Sequence, residues 1–363
     1  VSTSPLLTPS QGRRRREAAR QRRSRRRAGA VGALALALLA ALLVAVWPSS
    51  AGEHHSSGTT GRSADRRQPT APPSPALSPA GLALGKPALA LTGIAAAQQD
   101  PVRVAFRTPP RAGLLFDLST GRVLWQRNPR THLRVASLTK MMTALLAVRS
   151  GPPDAGVLVT EQAVHAGGSK VGLFPLHHHV RLESMLYGLL LPSGNDAADA
   201  LAQHVSGTIS RFVADMNAEA AKLGLGCTRF SSPSGYYDAG NESCAADLAV
   251  LAHVDLAQPR IARIARSRSA VLPFPIKGGK LYLYNNNPLL INRYPGVTGL
   301  KTGWTIAAGR CLVATAERHG VRLGVVLLHS PEPAIQARDL LDRAFTDVYH
   351  LAPVPEPPLP PGA

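Results

Sequence analysis

Cysteine is scarce: Cys227, Cys244 and Cys311 are the only three in 363 residues, and none stands in a Cys-x-x-Cys pair. That excludes a zinc ribbon and argues against any structural metal. Acidic residues are also short, 22 against 41 lysines and arginines, leaving a formal net charge of +19. Such an excess suggests nucleic acid until it is mapped. Ten arginines against one glutamate lie between Arg13 and Arg27, and the next stretch, Ala28 to Trp47, has no charged residue. As a helix that stretch spans about 30 Å, the thickness of a bilayer's hydrocarbon core. Arginines in front of an apolar segment hold that end in the cytoplasm and place the downstream chain on the outer side. The charge therefore reads as a topology signal, and no nucleic-acid partner is expected.

Residues 1–27 are thus expected to be a basic cytoplasmic tail, and 28–47 a membrane anchor or signal segment. An uncleaved anchor fits the length of the apolar run; small residues at Ser49-Ser50-Ala51 fit a cleaved signal and a secreted product. Residues 48–100 are rich in Pro, Ser and Ala with almost no aromatics, a composition expected to stay disordered as a linker. The folded unit is expected over 101–350, followed by a Pro-rich tail over 351–363. Export permits a Cys227–Cys244 disulfide with Cys311 left over in a buried strand; three unpaired thiols packed as small apolar groups fit equally well.

Within the folded unit, Gly113–Asp117 and Gly121–Trp125 flank a Ser-Thr-Gly turn and read as a hairpin. Ser137 to Val148 has hardly a polar face, as expected for a helix buried on all sides. Helical periodicity continues over Leu182–Leu191, Ala197–Val205 and Ile209–Leu223. Three β-rich stretches come next, Gly296–Trp304, Gly309–Glu317 and Val321–Leu328, then an amphipathic helix over Ile335–Tyr349. Strands, helices, then strands again predict an α+β fold. Its antiparallel sheet is built from both ends of the unit and flanked by helices, with a mostly helical lobe inserted between.

Three motifs carry chemistry. In Ser137-Leu138-Thr139-Lys140 the serine and lysine stand three apart, so on a helix the amine reaches the hydroxyl. Burial at a helix start disfavours the ammonium form and makes a neutral lysine available as a base. Ser193-Gly194-Asn195 interrupts a helical pattern; it can cap the next helix, or Ser193 can relay a proton while Asn195 donates its amide to a substrate carbonyl. Lys301-Thr302-Gly303-Trp304 lies on a predicted strand whose edge can pair with an extended peptide, and Gly303 permits close approach. The backbone N–H groups of Ser137 and Trp304 would form an oxyanion hole. His177-His178-His179 has no carboxylate at ligand spacing and is assigned to the surface; Tyr282, Tyr284 and Asn285 to Asn287 have the composition of a polar loop, or of a groove wall.

These motifs in this order resemble the D-alanyl-D-alanine carboxypeptidases, penicillin-binding serine peptidases of family S11, whose clan also holds the class A β-lactamases. The blocks Ala136–Ala144, Gly168–Leu173, Tyr187–Ala198, Ser234–Tyr236 and Gly299–Thr305 extend the resemblance over nearly all of 101–350. It implies a DD-peptidase/β-lactamase-like fold and removal of the terminal D-alanine from peptidoglycan stem peptides, with penicillins acylating the same serine. By resemblance Ser137, Lys140, Ser193 and Asn195 are catalytic, while Lys301, Thr302, Gly303 and Trp304 bind substrate. No cofactor is implied; the partners are the stem peptide ending in D-Ala-D-Ala, β-lactams and, through 28–47, the membrane. Alternatives within the clan are an endopeptidase acting on crosslinks or a penicillin-binding module without turnover. A class A β-lactamase needs a Glu-x-x-x-Asn loop, which neither Glu219 nor Glu242 begins. Two departures stand out. The family's arginine before the last helix aligns here with Pro333, with Arg338 further on, and its Gly-Leu-Asp reads Gly235-Tyr236-Tyr237-Asp238, with Asn241 after it.

Overall fold

The computed structural model describes residues 76–94, 100–236, 239–275 and 279–353. Its organising element is an antiparallel five-stranded sheet: β1 (Ala112–Asp117), β2 (Val123–Arg127), β3 (Val297–Thr305), β4 (Gly309–Arg318) and β5 (Val321–Leu328), in the spatial order β2-β1-β5-β4-β3. β1 pairs with β5 from Ala112↔Leu328 to Asp117↔Leu323, so the two ends of the domain meet at the centre of the sheet. Period-two alternation sends Leu114, Phe116, Val313 and Val326 to one face and Leu115, Leu312, Val325 and Leu327 to the other. Both faces are covered, which is why β1 reads as an unbroken apolar run instead of an alternating one.

The second face is closed by α6 (Pro333–Arg343) and the wider π-type turn after it, through Ala337, Leu340, Leu341 and Phe345. The first face receives the helical lobe. At its centre lies α1 (Lys140–Arg149), entered through a single 3₁₀ turn, Ala136–Thr139. Around it are α2 (Leu182–Leu190), α3 (Asn195–Ser206), α4 (Ile209–Lys222) and α5 (Ala245–Leu256). Every residue of α1 from Lys140 to Leu145 is buried, so its apolar sequence reflects neighbours on all sides.

The expected hairpin, meander and three lobe helices are present with ends shifted by a residue or two. The linker expected over 48–100 requires correction at 76–94. There Leu89 is buried in the main core, Gly85 N–H donates to Ala221 O at 2.8 Å, and Thr92 bridges Arg122. A few apolar residues suffice because Gly121 leaves room for Leu89 and the Ala90 carbonyl to lie against it. The anchor expected over 28–47, and the rest of the expected linker, lie outside the described residues. Among those described, no helix is long and apolar enough to cross a membrane.

Cys227 and Cys244 form a disulfide, and Cys311 lies buried in β4, apart from it. Asp247 beside the disulfide accepts from Cys227 N and Thr228 Oγ1, both at 2.7 Å; with both sulfurs joined, the group is not a thiolate metal site. His177, His178 and His179 are exposed. Because Leu89 packs into the main core, Leu89→Ala should cost about 2 kcal/mol in denaturant unfolding. A tether residue would change nothing measurable.

Candidate active site

Lys140 opens α1 one turn after Ser137, and its side chain is fully buried. Its Nζ lies 2.9 Å from Ser137 Oγ, 2.7 Å from Asn195 Oδ1 and 2.8 Å from the Ser234 carbonyl oxygen. Burial lowers its pKa well below the ordinary lysine value, and the charge of Lys301 pushes the same way, against weaker opposition from Asp199 and Asp196. A neutral amine has two N–H donors and one lone pair. Two carbonyl oxygens take the donors, which leaves the lone pair for the Ser137 hydroxyl.

The structural supports of this arrangement are local. Gly235 has φ 72°, and any Cβ there would collide with the Ala136 carbonyl and Thr139 Oγ1, so only glycine lets the Ser234 carbonyl reach Lys140. Thr143 Oγ1 donates to Pro233 O at 2.6 Å and fixes the same loop to α1. Asp196 accepts from Val171 N at 3.0 Å and Gly172 N at 2.8 Å, bolting the 168–173 loop to the start of α3. Asn195 differs from expectation: its Nδ2 donates to the Gly167 carbonyl, so the resting side chain joins loop to lysine instead of facing the cleft with both amide hydrogens free.

Lys301, also buried, donates from Nζ to Ser193 Oγ and to its neighbour's Thr302 O, each at 2.9 Å. Burial alone brings its pKa down to about 7. Ser193 is held at φ 66° between α2 and α3. β3 is an edge strand, and its Gly303 lies against the 3₁₀ turn: a Cβ there would sit 2.8 Å from Val135 O and 3.2 Å from Ser137 N. Ser137, Ser193, Thr302, Gly303 and Trp304 line one cleft of about 550 Å³, so the three motifs converge.

Asp199 and Arg310 escape the sequence reading, while Asn286 falls in the stretch read as a polar loop or a groove wall. Asp199, four residues after Asn195 on α3, faces the lysine; burial raises its pKa to about 7 while Lys140 opposes the rise. Its i, i+4 spacing from Asn195 is the available signal. Asn286 and Arg310 also line the cleft, and so does Pro333, at the position aligned with the family's arginine. Arg338 instead pairs with Asp342 at 3.5 Å.

The family model for D-alanyl-D-alanine carboxypeptidase matches residues 101–332. The chain belongs to that carboxypeptidase family. It is 34% identical over 276 residues to the D-alanyl-D-alanine carboxypeptidase DacF of Bacillus subtilis, covering 73% of this chain and 70% of that protein. It is 36% identical over 245 residues to a D-alanyl-D-alanine carboxypeptidase of Mycobacterium tuberculosis, covering 65% and 82%. The crystal structure of a Streptomyces DD-transpeptidase superposes with a TM-score of 0.63 at 27% identity, covering 67% of this chain and all of that one. The S11 carboxypeptidase fold, an antiparallel sheet with an inserted helical lobe, is the one described above.

The two cleft lysines should both titrate below the ordinary lysine range. In ¹³C-labelled protein, the Lys301 side chain should show a protonation step near pH 7, and the Lys140 step should also lie well below the ordinary lysine value. Both amines titrating near the ordinary value of about 10.4 would refute the assigned electrostatics.

Proposed function

We propose that residues 101–350 act as a serine-type D-alanyl-D-alanine carboxypeptidase, removing the terminal D-alanine of peptidoglycan stem peptides through an acyl-enzyme on Ser137. The observation that carries this reading is the Lys140 amine, buried, within hydrogen-bond reach of two carbonyl oxygens and 2.9 Å from the Ser137 hydroxyl. In that reading Ser137 Oγ passes its proton to Lys140 as it attacks the carbonyl between the two D-alanines. The backbone N–H groups of Ser137 and Trp304 hold the resulting oxyanion. Lys301 and Thr302 bind the terminal carboxylate, Gly303 allows the peptide to lie along β3, and Asn195 holds Lys140 in place. Ser193, hydrogen-bonded to Lys301, relays a proton to the leaving amine. The C–N bond breaks, D-alanine departs, and water hydrolyses the remaining ester. Penicillins acylate Ser137 in the same way.

The placement proposed is extracytoplasmic, with residues 28–47 attaching the enzyme to the membrane unless a signal peptidase removes them. The Cys227–Cys244 disulfide supports an oxidising compartment. A second reading has an amine of another stem peptide, in place of water, receive the acyl group; it is favoured by the likeness to the Streptomyces DD-transpeptidase.

Ser137→Ala should lower D-alanine release from a D-Ala-D-Ala pentapeptide by about 10⁴-fold or more and abolish covalent labelling by penicillin. Mass spectrometry of the labelled wild type should locate the adduct on Ser137. A Ser137→Ala protein as active as wild type would exclude the mechanism.

A further inference from the structure

Beyond Trp304 lies a second hollow of about 480 Å³, lined among others by Arg111, Arg127, Arg310 and His329. Trp304 and Arg310 line both this hollow and the cleft, so the two share a wall. No acidic residue among those described lines it. Among the described residues none of its three arginines is ion-paired, whereas Arg149, Arg260 and Arg318 each meet a carboxylate elsewhere in the fold. Two of the guanidinium groups are held by backbone: Arg127 Nε donates to Pro110 O and Arg310 Nη1 to Pro331 O, each at 2.8 Å. These carbonyls belong to prolines, whose fixed φ stiffens the rim. His329 is held as well, since its ring packs against Gly309, where a Cβ would come within 2.8 Å of Nδ1. Like charges gathered in a concave site, with no internal carboxylate to offset their repulsion, favour an anion supplied from outside.

The direction of the cleft identifies that anion. With the terminal carboxylate of a peptide at Lys301 and Thr302, the rest of an extended chain running along β3 passes Trp304, where the hollow opens. We propose that this hollow is a second subsite, which binds a carboxylate carried by the peptide upstream of the bond to be broken. The proposal rests on the reading of the cleft as a D-Ala-D-Ala peptidase site and adds a preference for acidic peptides.

Two synthetic peptides ending in D-Ala-D-Ala, one with glutamate and one with glutamine upstream of the terminal pair, test it. Binding is measured by calorimetry to Ser137→Ala protein, so the readout does not depend on turnover. The glutamate peptide should bind about fivefold more tightly. Arg111→Gln and Arg127→Gln, added to that background, should each reduce the ratio toward one by weakening the glutamate peptide alone, and Arg111→Lys should keep it. In protein with Ser137 intact, the same arginine variants should leave penicillin acylation unchanged. Equal affinity for the two peptides, or a preference retained in both glutamine variants, would overturn the subsite. Unlabelled Ser137 and no D-alanine release from either peptide in wild type would instead refute the reaction, while the calorimetric ratio still decides the hollow.

Discussion

Two lysine amines withdrawn from water into one cleft constrain everything built around them. A buried ammonium costs several kcal/mol unless it is paired or neutralised, and among the described residues neither Lys140 nor Lys301 has a carboxylate in direct contact. The fold resolves this by lowering both pKa values and surrounding each amine with neutral oxygen acceptors. Those acceptors come from distant parts of the chain: Asn195 Oδ1 and the Ser234 carbonyl around one amine, Ser193 and the Thr302 carbonyl around the other. The lobe helices, the 227–244 disulfide loop and the edge strand are thus held in register by a shared requirement to satisfy two polar groups in a dry place.

The two amines differ in what acts on them. Burial is the main influence disfavouring the charge on Lys140; Lys301 pushes the same way, and Asp199 and Asp196 oppose it. The shift is in the direction that frees an amine lone pair. Lys301 feels burial alone, which brings its pKa down to about 7. A nearby anion favours the charged form of such an amine. Burial raises Asp199 to about 7, with Lys140 opposing the rise.

Much of this is legible because it depends on spacing. The Ser137–Lys140 offset, the edge-strand position of Lys301-Thr302-Gly303 and the limits of β4 and β5 all follow from periodicity and turn residues. The features that stay hidden depend on tertiary partners. Residues 76–94 have a linker's composition, yet Leu89 finds a slot that only Gly121 leaves open. The strand Lys280–Tyr284 has the composition of a polar loop or groove wall. Its alternation, Leu281 and Leu283 buried with Tyr282 and Tyr284 exposed, is present in the sequence but short, and three asparagines come directly after it. The use of Asn195 as a clamp on Gly167, and not as an open donor, needs the loop's position.

The pairing of β1 with β5 has a consequence for how the protein comes into being. Ala112 has no hydrogen-bonding neighbour on that side until Leu328 is available, more than two hundred residues later. A chain emerging amino end first must therefore keep β1 and the apolar α1 away from misplaced partners until nearly the whole domain has been delivered. The cleft also needs Lys301 and Gly303 beside Ser137, so a chain that ends before them lacks one of its walls.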